Sequence, residues 1–391
     1  MKEIYISKIG TISLLIIASL TIMVGTVVAP RLLTISSKLG VQDYAPWLIT
    51  IPSLGVVLSS FFLSKFIERF GYYNSLKIGL FFYGLFGVSG MFLYGTILLF
   101  IDRFLLGVTT GIVLVCVNGL ISYFFKGEKR LKIIAMQAIS IELGGVVILS
   151  VSGFLSVISW NYPFFIYLFA WVFLAMLFLF IPKPKNSIYQ KEDDDEKLEV
   201  KSSLYKVFFA VLSSMFLFFI AIIVLPLYLP KYGFTEDKVG YFLSFVSFMA
   251  IIAAGFIPKL SKVLKEKTII RVAFLSYSLA HSLFFLFNEN ITFIIAGVFL
   301  GIGFGFSIPL LNHITIEKSD TKTLSKNLSL YTMLIFLGQF LATFSEFFPG
   351  KLNTIFLIAS LLSLALILIS LIIKKKVYFD KIKICKIRNK N

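Results

Sequence analysis

Three charged residues, Glu142, Arg103 and Asp102, stand inside long apolar runs of this sequence. A charged side chain in hydrocarbon is costly, so it needs a partner, a water-filled cavity or a role in moving ions. Glu142 lies near the middle of its run, where a carboxylate can take up and release a proton. The alternative is a glutamate paired with a polar neighbour for packing. We therefore take Glu142 as the first candidate for proton coupling.

Arg103 and Asp102 are the other two candidates for a substrate or proton site. Arg103 could pair with Glu142 or balance a charged substrate, and the alternative is a structural arginine bonded to backbone carbonyls. Asp102 is its neighbour, but successive side chains point about 100° apart around a helix. We expect Asp102 nearer the outer interface. His281 also lies in an apolar run, where a hydrogen-bonded structural role is favoured.

The elements that must position these residues are membrane helices. The chain of 391 residues is 58% hydrophobic and only 15% charged, with a mean hydropathy of +0.93. Its apolar residues fall in runs of about 20, the length that crosses a hydrocarbon core. We predict an all-α membrane protein with twelve transmembrane helices. Their approximate ranges are 9–29, 45–64, 76–95, 97–124, 132–157, 162–181, 204–229, 240–260, 269–287, 291–313, 325–348 and 352–373.

The positive charges lie between these runs. A formal net charge of +17 could indicate nucleic-acid binding, but short basic connections between apolar runs indicate cytoplasmic loops instead. If the N-terminus is inside, 31 of the 37 Lys and Arg residues fall on the inner side and five on the outer side, which leaves Arg103. We expect a multi-pass protein of the plasma membrane with both termini in the cytoplasm and no nucleic-acid partner.

A polar segment divides the chain in the middle. We predict an N-terminal six-helix half at 1–181, a cytoplasmic linker at 182–203, a C-terminal six-helix half at 204–373 and a basic tail at 374–391. The two cysteines, Cys116 and Cys385, form neither a disulfide framework nor a metal cluster. No nucleophile–base pair, metal-ligand spacing or phosphate-binding loop is present in the sequence. We expect no enzyme activity, cofactor or metal.

The connection between the second and third runs carries an acid, a base and a glycine in a tight turn. Such a turn can act as a latch, since the carboxylate can cap a helix or pair with a base. Glycine permits the positive φ that the turn requires. The residues that we assign to this gating loop are Ser64, Glu68, Arg69 and Gly71.

Glycines inside the runs allow helices to approach closely. Gly107 and Gly111, four residues apart, lie on one face of the fourth run. The glycines that we assign to helix packing are Gly107, Gly111, Gly144, Gly145, Gly301, Gly303 and Gly305.

The order, spacing and membrane side of these motifs resemble the major facilitator superfamily over nearly the whole chain. The gating loop resembles the family's signature loop, and Arg103 with its two glycines resembles the fourth-helix motif. The aromatic turn after Trp160 resembles the usual entry to helix six. Gly338-Gln339 resembles a pair that recurs in the drug/proton antiporter branch, which is the nearest branch.

The sequence also departs from the family's pattern. Ser64 stands where the signature loop begins with Gly, and Glu68 stands where it carries Asp. Tyr72 and Tyr73 replace two bases, and Val146 follows Gly144-Gly145 where antiporters have a Gly-Pro motif. Span one contains no acid, unlike antiporters that use a carboxylate there. These departures weaken the assignment to the antiporter branch.

The resemblance implies secondary active transport by alternating access, with two halves rocking around a midplane cavity. The many aromatic residues would suit small amphipathic substrates, so we expect a monomeric, proton-coupled efflux antiporter in the lipid bilayer, with protons or another coupling ion. Two alternatives stay open. One is a proton-coupled importer of a nutrient or metabolite, and the other is a membrane sensor that transports nothing.

Overall fold

The computed structural model describes residues 6–184, 202–320 and 323–370, and this part of the chain is helical without strands. Helices prevail because lipid offers no hydrogen bonds, and a helix satisfies its backbone groups within one segment. Most of the predicted linker (185–201) and the whole basic tail (374–391) lie outside the described residues.

The N-terminal half begins with a first span made of three short helices, joined by a 3₁₀ turn at Ala29–Arg31. A second 3₁₀ segment, Tyr162–Leu168, opens the sixth span. The helices of this half are α1 (Lys8–Ala18), α2 (Leu20–Thr26), α3 (Leu32–Lys38), α4 (Trp47–Ser89), α5 (Thr96–Phe124), α6 (Gly127–Ile158) and α7 (Phe169–Phe180).

The C-terminal half repeats the pattern with more continuous helices. Its first helix keeps Pro226 within the last turn. The helices are α8 (Ser202–Tyr228), α9 (Glu236–Val263), α10 (Glu266–Leu286), α11 (Asn290–Lys318), α12 (Leu324–Leu341) and the shorter apolar helix α13 (Thr354–Ser370).

Helix α4 contains two membrane crossings. Its 43 residues would extend about 65 Å, twice the thickness of the hydrocarbon core. The break is at Gly71, whose φ of 73° and ψ of 158° reverse the chain. Contacts between α4 and α5 confirm the reversal. Along α4, the residue numbers of the contacted positions in α5 rise before Gly71 and fall after it. The contacts are Pro52–Gly107 and Ser59–Gly111 on the first limb, and Gly79–Ile112 and Gly90–Arg103 on the second.

Ten described segments are long and apolar enough to cross a membrane. One of them, Trp47–Phe92, holds the two crossings on either side of Gly71, and the helix Thr354–Ser370 adds another. The described residues thus accommodate the twelve predicted crossings, and the predicted all-α fold of two six-helix halves is confirmed. Large apolar side chains such as Phe61, Ile97 and Leu179 point away from the protein interior, as lipid-facing residues do.

The halves meet along α6 with α9 and along α4 with α12. We call the end of the bundle that carries Arg31, Trp47 and Glu236 the Arg31 end. The opposite end, with the turn at Gly71 and the start of α6 after Lys126, is the Lys126 end. These two ends differ in how tightly the halves are joined.

Candidate functional site

At the Arg31 end, an ion pair joins the two halves. Arg31 Nε lies 2.6 Å from Glu236 Oε2, and the Thr34 hydroxyl donates to Glu236 Oε1 at 2.5 Å. Arg31 ends the 3₁₀ break of span one and Thr34 follows it in α3. Glu236 opens α9, where a carboxylate also suits the helix dipole. We call these three residues the Arg31 latch.

A second contact at this end involves a tryptophan. Trp47 Nε1 donates to Glu346 Oε1 at 2.6 Å, and its ring stacks on Phe100 with the ring centroids 6.3 Å apart. Two aromatic rings of the C-terminal half, Phe340 and Phe344, meet the indole edge-on. We call Trp47 and Glu346 the Trp47 latch, which lies between the second and eleventh spans.

Hydroxyl groups extend the closed interface toward the middle of the bundle. Ser53 donates to Gln339 Oε1 at 2.8 Å, and the hydroxyls of Thr50 and Thr343 are hydrogen-bonded to each other. Where α6 meets α9, Ser244 donates to the Val146 carbonyl at 2.8 Å.

The approach of the backbones is closest at two glycines. A Cβ on Gly153 would lie 3.1 Å from Gly240 Cα, so α6 and α9 touch without intervening side chains. The described polar contacts between the halves concentrate at the Arg31 end. The one nearest the Lys126 end is a 3.8 Å contact from the Ser60 hydroxyl to Met333 Sδ.

Glu142 lies one helical turn beyond this closed region, on the side of the Lys126 end. Four residues, or about 6 Å along the helix, separate it from Val146, whose carbonyl meets α9. The next turn of the same face carries Gly145, which packs against Ile22 of span one. Glu142 is partly exposed, and no described residue forms a hydrogen bond or ion pair with it. It is therefore an unpaired carboxylate at the surface between the halves.

Two tyrosines of the C-terminal half, Tyr277 and Tyr331, lie within electrostatic range of Glu142. Both hydroxyls have other partners. Tyr331 donates to the Ile308 carbonyl at 2.8 Å. Tyr277 belongs to a buried hydroxyl cluster with Ser214, at 3.0 Å, and Ser307, at 3.3 Å. Both tyrosines are buried, and neither forms a hydrogen bond with Glu142.

Arg103 is paired with Asp102, and not with Glu142. Its Nε and Nη2 lie 3.0 and 2.6 Å from Asp102 Oδ2, and Nη2 also donates to the Phe86 carbonyl at 2.6 Å. Ser89 donates to the other carboxylate oxygen at 2.6 Å. Both charged side chains are buried, and a Cβ on Gly90 would overlap the guanidinium.

The expected separation of Asp102 from Arg103 thus does not occur. The long arginine side chain curls back to the carboxylate although the two Cα–Cβ bonds diverge. Its guanidinium also lies 5.6 Å from the ring centroids of Phe164 and Tyr167, which open the sixth span. The pair fixes the ends of the third, fourth and sixth spans to one another. The structural alternative for Arg103, bonding to backbone carbonyls, matches this geometry.

The broken first span is held by hydroxyl groups from three other spans. Tyr83 donates to the Leu20 carbonyl at 2.7 Å and Tyr167 to the Val24 carbonyl at 3.1 Å. Ser152 donates to the Val27 carbonyl at 2.5 Å. These three donors tie the broken span to the third, fifth and sixth spans, as side-chain hydroxyls do beside a break in a membrane helix. Sequence analysis did not find this arrangement.

The gating loop lies at the Lys126 end with its charged residues exposed. Gly71 has the positive φ that the turn requires, and the Arg69 guanidinium lies 5.6 Å from the Phe70 ring centroid. Ser64 and Glu68 are exposed, without a described hydrogen-bond partner. In this conformation the loop does not bridge the two halves through these side chains.

The glycines assigned to packing all lie against a neighbouring element. A Cβ on Gly107 would overlap the Pro52 carbonyl, and one on Gly305 would overlap the Ala250 carbonyl, so backbones touch at both sites. The other five contacts are Gly111 with Ser59, Gly144 with Ser19, Gly145 with Ile22, Gly301 with Val246 and Gly303 with the Tyr277 ring.

His281 is buried in α10, away from the residues that line the interface. Its Nε2 lies 3.1 Å from the Leu217 carbonyl, and its ring stacks on Phe356 with the centroids 5.9 Å apart. This position matches the structural role expected for it. Glu317 and His313, at the end of α11, form an exposed pair with 3.1 Å between Oε1 and Nε2.

Sequence reasoning missed both latches. Nothing in the sequence singled out Arg31, Trp47, Glu236 or Glu346. The Thr34–Glu236 and Trp47–Glu346 contacts join residues 202 and 299 positions apart in the chain, so no local pattern marks them. The only signal in the sequence was that four spans carry a charged or tryptophan side chain where they end at the Arg31 end.

The fold and this interface define a polytopic membrane protein whose two six-helix halves close at one end. The sequence profile of the Major Facilitator Superfamily matches residues 14–343, and the chain belongs to that family. No curated relative matches the chain significantly in sequence.

Several solved transporters share the fold. The xylose transporter XylE from E. coli, in a partially occluded inward-open conformation, is 15% identical, with a TM-score of 0.70 over 93% of this chain and 98% of its own. The peptide transporter POT in complex with alafosfalin is 14% identical, with a TM-score of 0.72 over 94% of each chain. The nucleoside transporter NupG is 13% identical, with a TM-score of 0.70 over 92% of this chain and 98% of its own.

Proposed function

We propose that this protein is a secondary active transporter that works by alternating access and exports small amphipathic compounds in exchange for protons. The observation that carries the proposal is Glu142, an unpaired carboxylate at the surface between the halves, one turn from the point where they close. A carboxylate at such a place can exchange its proton with whichever side the cavity faces.

The basic connections favour an orientation in the plasma membrane with the Lys126 end and both termini in the cytoplasm. With that orientation, the Arg31 and Trp47 latches lie on the outer side, and the closed outer end makes this an inward-facing conformation.

In this scheme the two latches must open when the protein turns outward, and the Lys126 end must then close. The exposed charges of the gating loop, Glu68 and Arg69, are placed to form contacts in that second state. Arg103 and Asp102 would hold the N-terminal half rigid while it rocks. The transporter would need no cofactor, work as a monomer and bind its substrate between the halves.

Proton-coupled import is the second candidate. It is favoured by one of the similar solved structures, a D-xylose-proton symporter, which is 15% identical with a TM-score of 0.71 over 92% of this chain and 97% of its own. The surroundings of Glu142 argue for the first candidate, because Tyr277 and Tyr331 are buried with their hydroxyls bonded inside the C-terminal half and offer no free donor to a sugar.

Transport in proteoliposomes tests the proposal. The full chain is reconstituted with an imposed pH gradient, and the flux of a panel of amphipathic compounds and of sugars, peptides and nucleosides is followed. We expect amphipathic compounds to accumulate in the compartment that loses protons, and an ionophore that collapses the gradient to stop accumulation. Movement of a nutrient with the proton would favour import. No flux of any compound would favour a membrane sensor.

A further inference from the structure

A cavity of about 250 Å³ lies at the Arg31 end of the bundle, beside the Trp47 latch. Most of its lining belongs to the C-terminal half, to the outer part of α8 and the turn between α12 and α13. Pro46, which precedes α4, contributes from the N-terminal half. Pockets for drug-sized molecules usually measure about 300–1,000 Å³, so this cavity suits a smaller molecule. We call it the Pro46 cavity.

Three polar side chains that line the Pro46 cavity have bonding capacity left. Glu346 accepts from Trp47 through Oε1, and its Oε2 has no described partner. Lys351 forms no ion pair with Glu346 or with any other described residue. Ser345 is 1% exposed, and its hydroxyl has no described hydrogen-bond partner. Because buried polar groups normally have partners, two opposite charges and a free hydroxyl at one cavity indicate a ligand that carries both charges.

The turn that carries Lys351 is held by backbone hydrogen bonds. The Phe348 N–H donates to the Ser345 carbonyl at 3.1 Å, and the Thr354 N–H donates to the Lys351 carbonyl at 2.8 Å. Gly350 lies between these bonds with a φ of 106°, which a residue with a side chain rarely adopts. The backbone thus places the lysine at the cavity before a ligand arrives, so binding loses little entropy in ordering the turn.

The remaining lining is largely apolar. Ile223 and Val224 of α8 and Ile355 of α13 are buried and can take an aliphatic group out of water. We propose that the Pro46 cavity binds a small zwitterion with an apolar side chain. The ammonium of this ligand pairs with Glu346 Oε2, and its anionic group pairs with Lys351. A free apolar amino acid has this chemistry, and so does the ethanolamine phosphate headgroup of a lipid.

Such a ligand also acts on the contact between the halves. Pro46 and Trp47 belong to the N-terminal half, whereas Glu346 and Lys351 belong to the C-terminal half, so the cavity is complete only while the halves meet at the Arg31 end. A ligand that binds one conformation better shifts the population towards it. The bound zwitterion therefore holds the Arg31 end closed and slows the transport cycle. This consequence rests on the proposed function, whereas the binding itself does not.

Four probes that differ by one chemical group test the binding. L-Leucine carries both charges and an apolar side chain. Isoamylamine lacks the carboxylate, 4-methylpentanoate lacks the ammonium, and glycine lacks the apolar side chain. Their binding to the purified full chain in detergent is measured by calorimetry at neutral pH. We expect leucine to bind about tenfold or more tightly than each of the others, because each of them leaves one charge or the apolar lining without a partner.

Two variants assign the charges to their side chains. Glu346→Gln keeps an acceptor for Trp47 and loses the charge, so leucine should bind about tenfold more weakly and no better than 4-methylpentanoate. Lys351→Gln should weaken leucine similarly and remove its advantage over isoamylamine. The matched controls are Glu289→Gln and Lys38→Gln, the same changes at exposed positions of the Arg31 end, which should bind leucine as wild type does.

A cysteine reporter measures the effect on conformation. Ser53 is buried at the closed interface, so Ser53→Cys, in a chain without Cys116 and Cys385, reacts with an impermeant maleimide added at the Arg31 end only when that end opens. At ten times its dissociation constant, leucine should slow this reaction about tenfold, and glycine at the same concentration should not.

Nanodiscs distinguish the two sources of the ligand. If a lipid headgroup occupies the Pro46 cavity, leucine should bind more weakly in phosphatidylethanolamine than in phosphatidylcholine, whose trimethylammonium has no N–H to donate to Glu346. Equal binding in both lipids would assign the cavity to a free zwitterion.

Leucine that does not bind in detergent, or binds no more tightly than isoamylamine or 4-methylpentanoate, would overturn the proposal. Unchanged leucine affinity in Glu346→Gln or Lys351→Gln would do the same, and an unchanged maleimide rate would remove the effect on conformation. Failure of the proposed function is distinguishable from these results. Gradient-driven flux without leucine binding would leave the transporter standing and remove this site, and leucine binding without flux of any compound would do the reverse.

Discussion

The two six-helix halves bury different chemistry. The N-terminal half holds the Asp102–Arg103 pair and Glu142, and its first span is broken and held by hydroxyl groups. The buried polar groups of the C-terminal half are hydroxyls, His281 and Asn327, and its first helix, α8, is continuous. Among the described residues, the fully buried ion pair thus lies in the N-terminal half, while the buried polar groups of the other half carry no such pair. We interpret this as a division between proton handling and substrate contact.

The largest effect is expected from breaking the charged pair of the N-terminal half. Arg103→Met removes five donors and leaves Asp102 buried and unpaired, which costs about 3–5 kcal/mol. We expect a large fall in melting temperature, measured for the detergent-solubilised protein. In the double variant Asp102→Asn/Arg103→Met the buried charge is gone, so part of the stability should return. An unchanged melting temperature of Arg103→Met would contradict the structural role of the pair.

The contact between the halves offers the next test. Glu236→Gln removes a partly buried ion pair worth about 1 kcal/mol, so the outward-open state should become about fivefold more populated. The reporter is Ser53→Cys, placed in a chain without Cys116 and Cys385, and its rate of reaction with an impermeant maleimide is followed from outside.

Glu289→Gln is the matched control for this variant, since Glu289 lies at the same end of the bundle and is exposed. Its maleimide rate should equal that of the unmodified reporter chain. Equal rates for Glu236→Gln and Glu289→Gln would mean that the Arg31 latch does not hold the outer end closed.

The smallest effect is expected in the C-terminal half. His281→Phe keeps the ring stacked on Phe356 and removes one hydrogen bond to the Leu217 carbonyl, at a cost of about 1 kcal/mol. Gradient-driven flux should be unchanged, because the division between the halves places no proton carrier here. If His281→Phe uncouples transport, the division is wrong.

Sequence patterns were sufficient for the fold, and they marked one residue of the candidate site. Apolar runs and the alternation of basic connections predicted the membrane crossings. Both patterns are local, because a membrane requires about 20 apolar residues for each crossing and places basic residues in the cytoplasmic loops. Glu142 was identifiable for the same reason, as the one charged residue in residues 133–158.

The partners of the charged residues could not be predicted in this way. Arg103 reaches Asp102 and the carbonyls of Phe86 and Gly87 because its side chain is long and α4 ends beside it. The angle between adjacent positions on a helix says nothing about that reach. The latches depend on how two halves dock, and docking brings together residues such as Arg31 and Glu236 that no local pattern connects.

Gradient-driven transport by Glu142→Gln, compared with wild type and Glu142→Asp, tests the central claim most directly. In proteoliposomes with saturating substrate, the variant should exchange labelled for unlabelled substrate, which needs only rocking of the halves. It should fail to accumulate substrate when a pH gradient is imposed, and Glu142→Asp should retain accumulation. Full accumulation by Glu142→Gln would show that the proton travels elsewhere, and the assignment of Glu142 would be wrong.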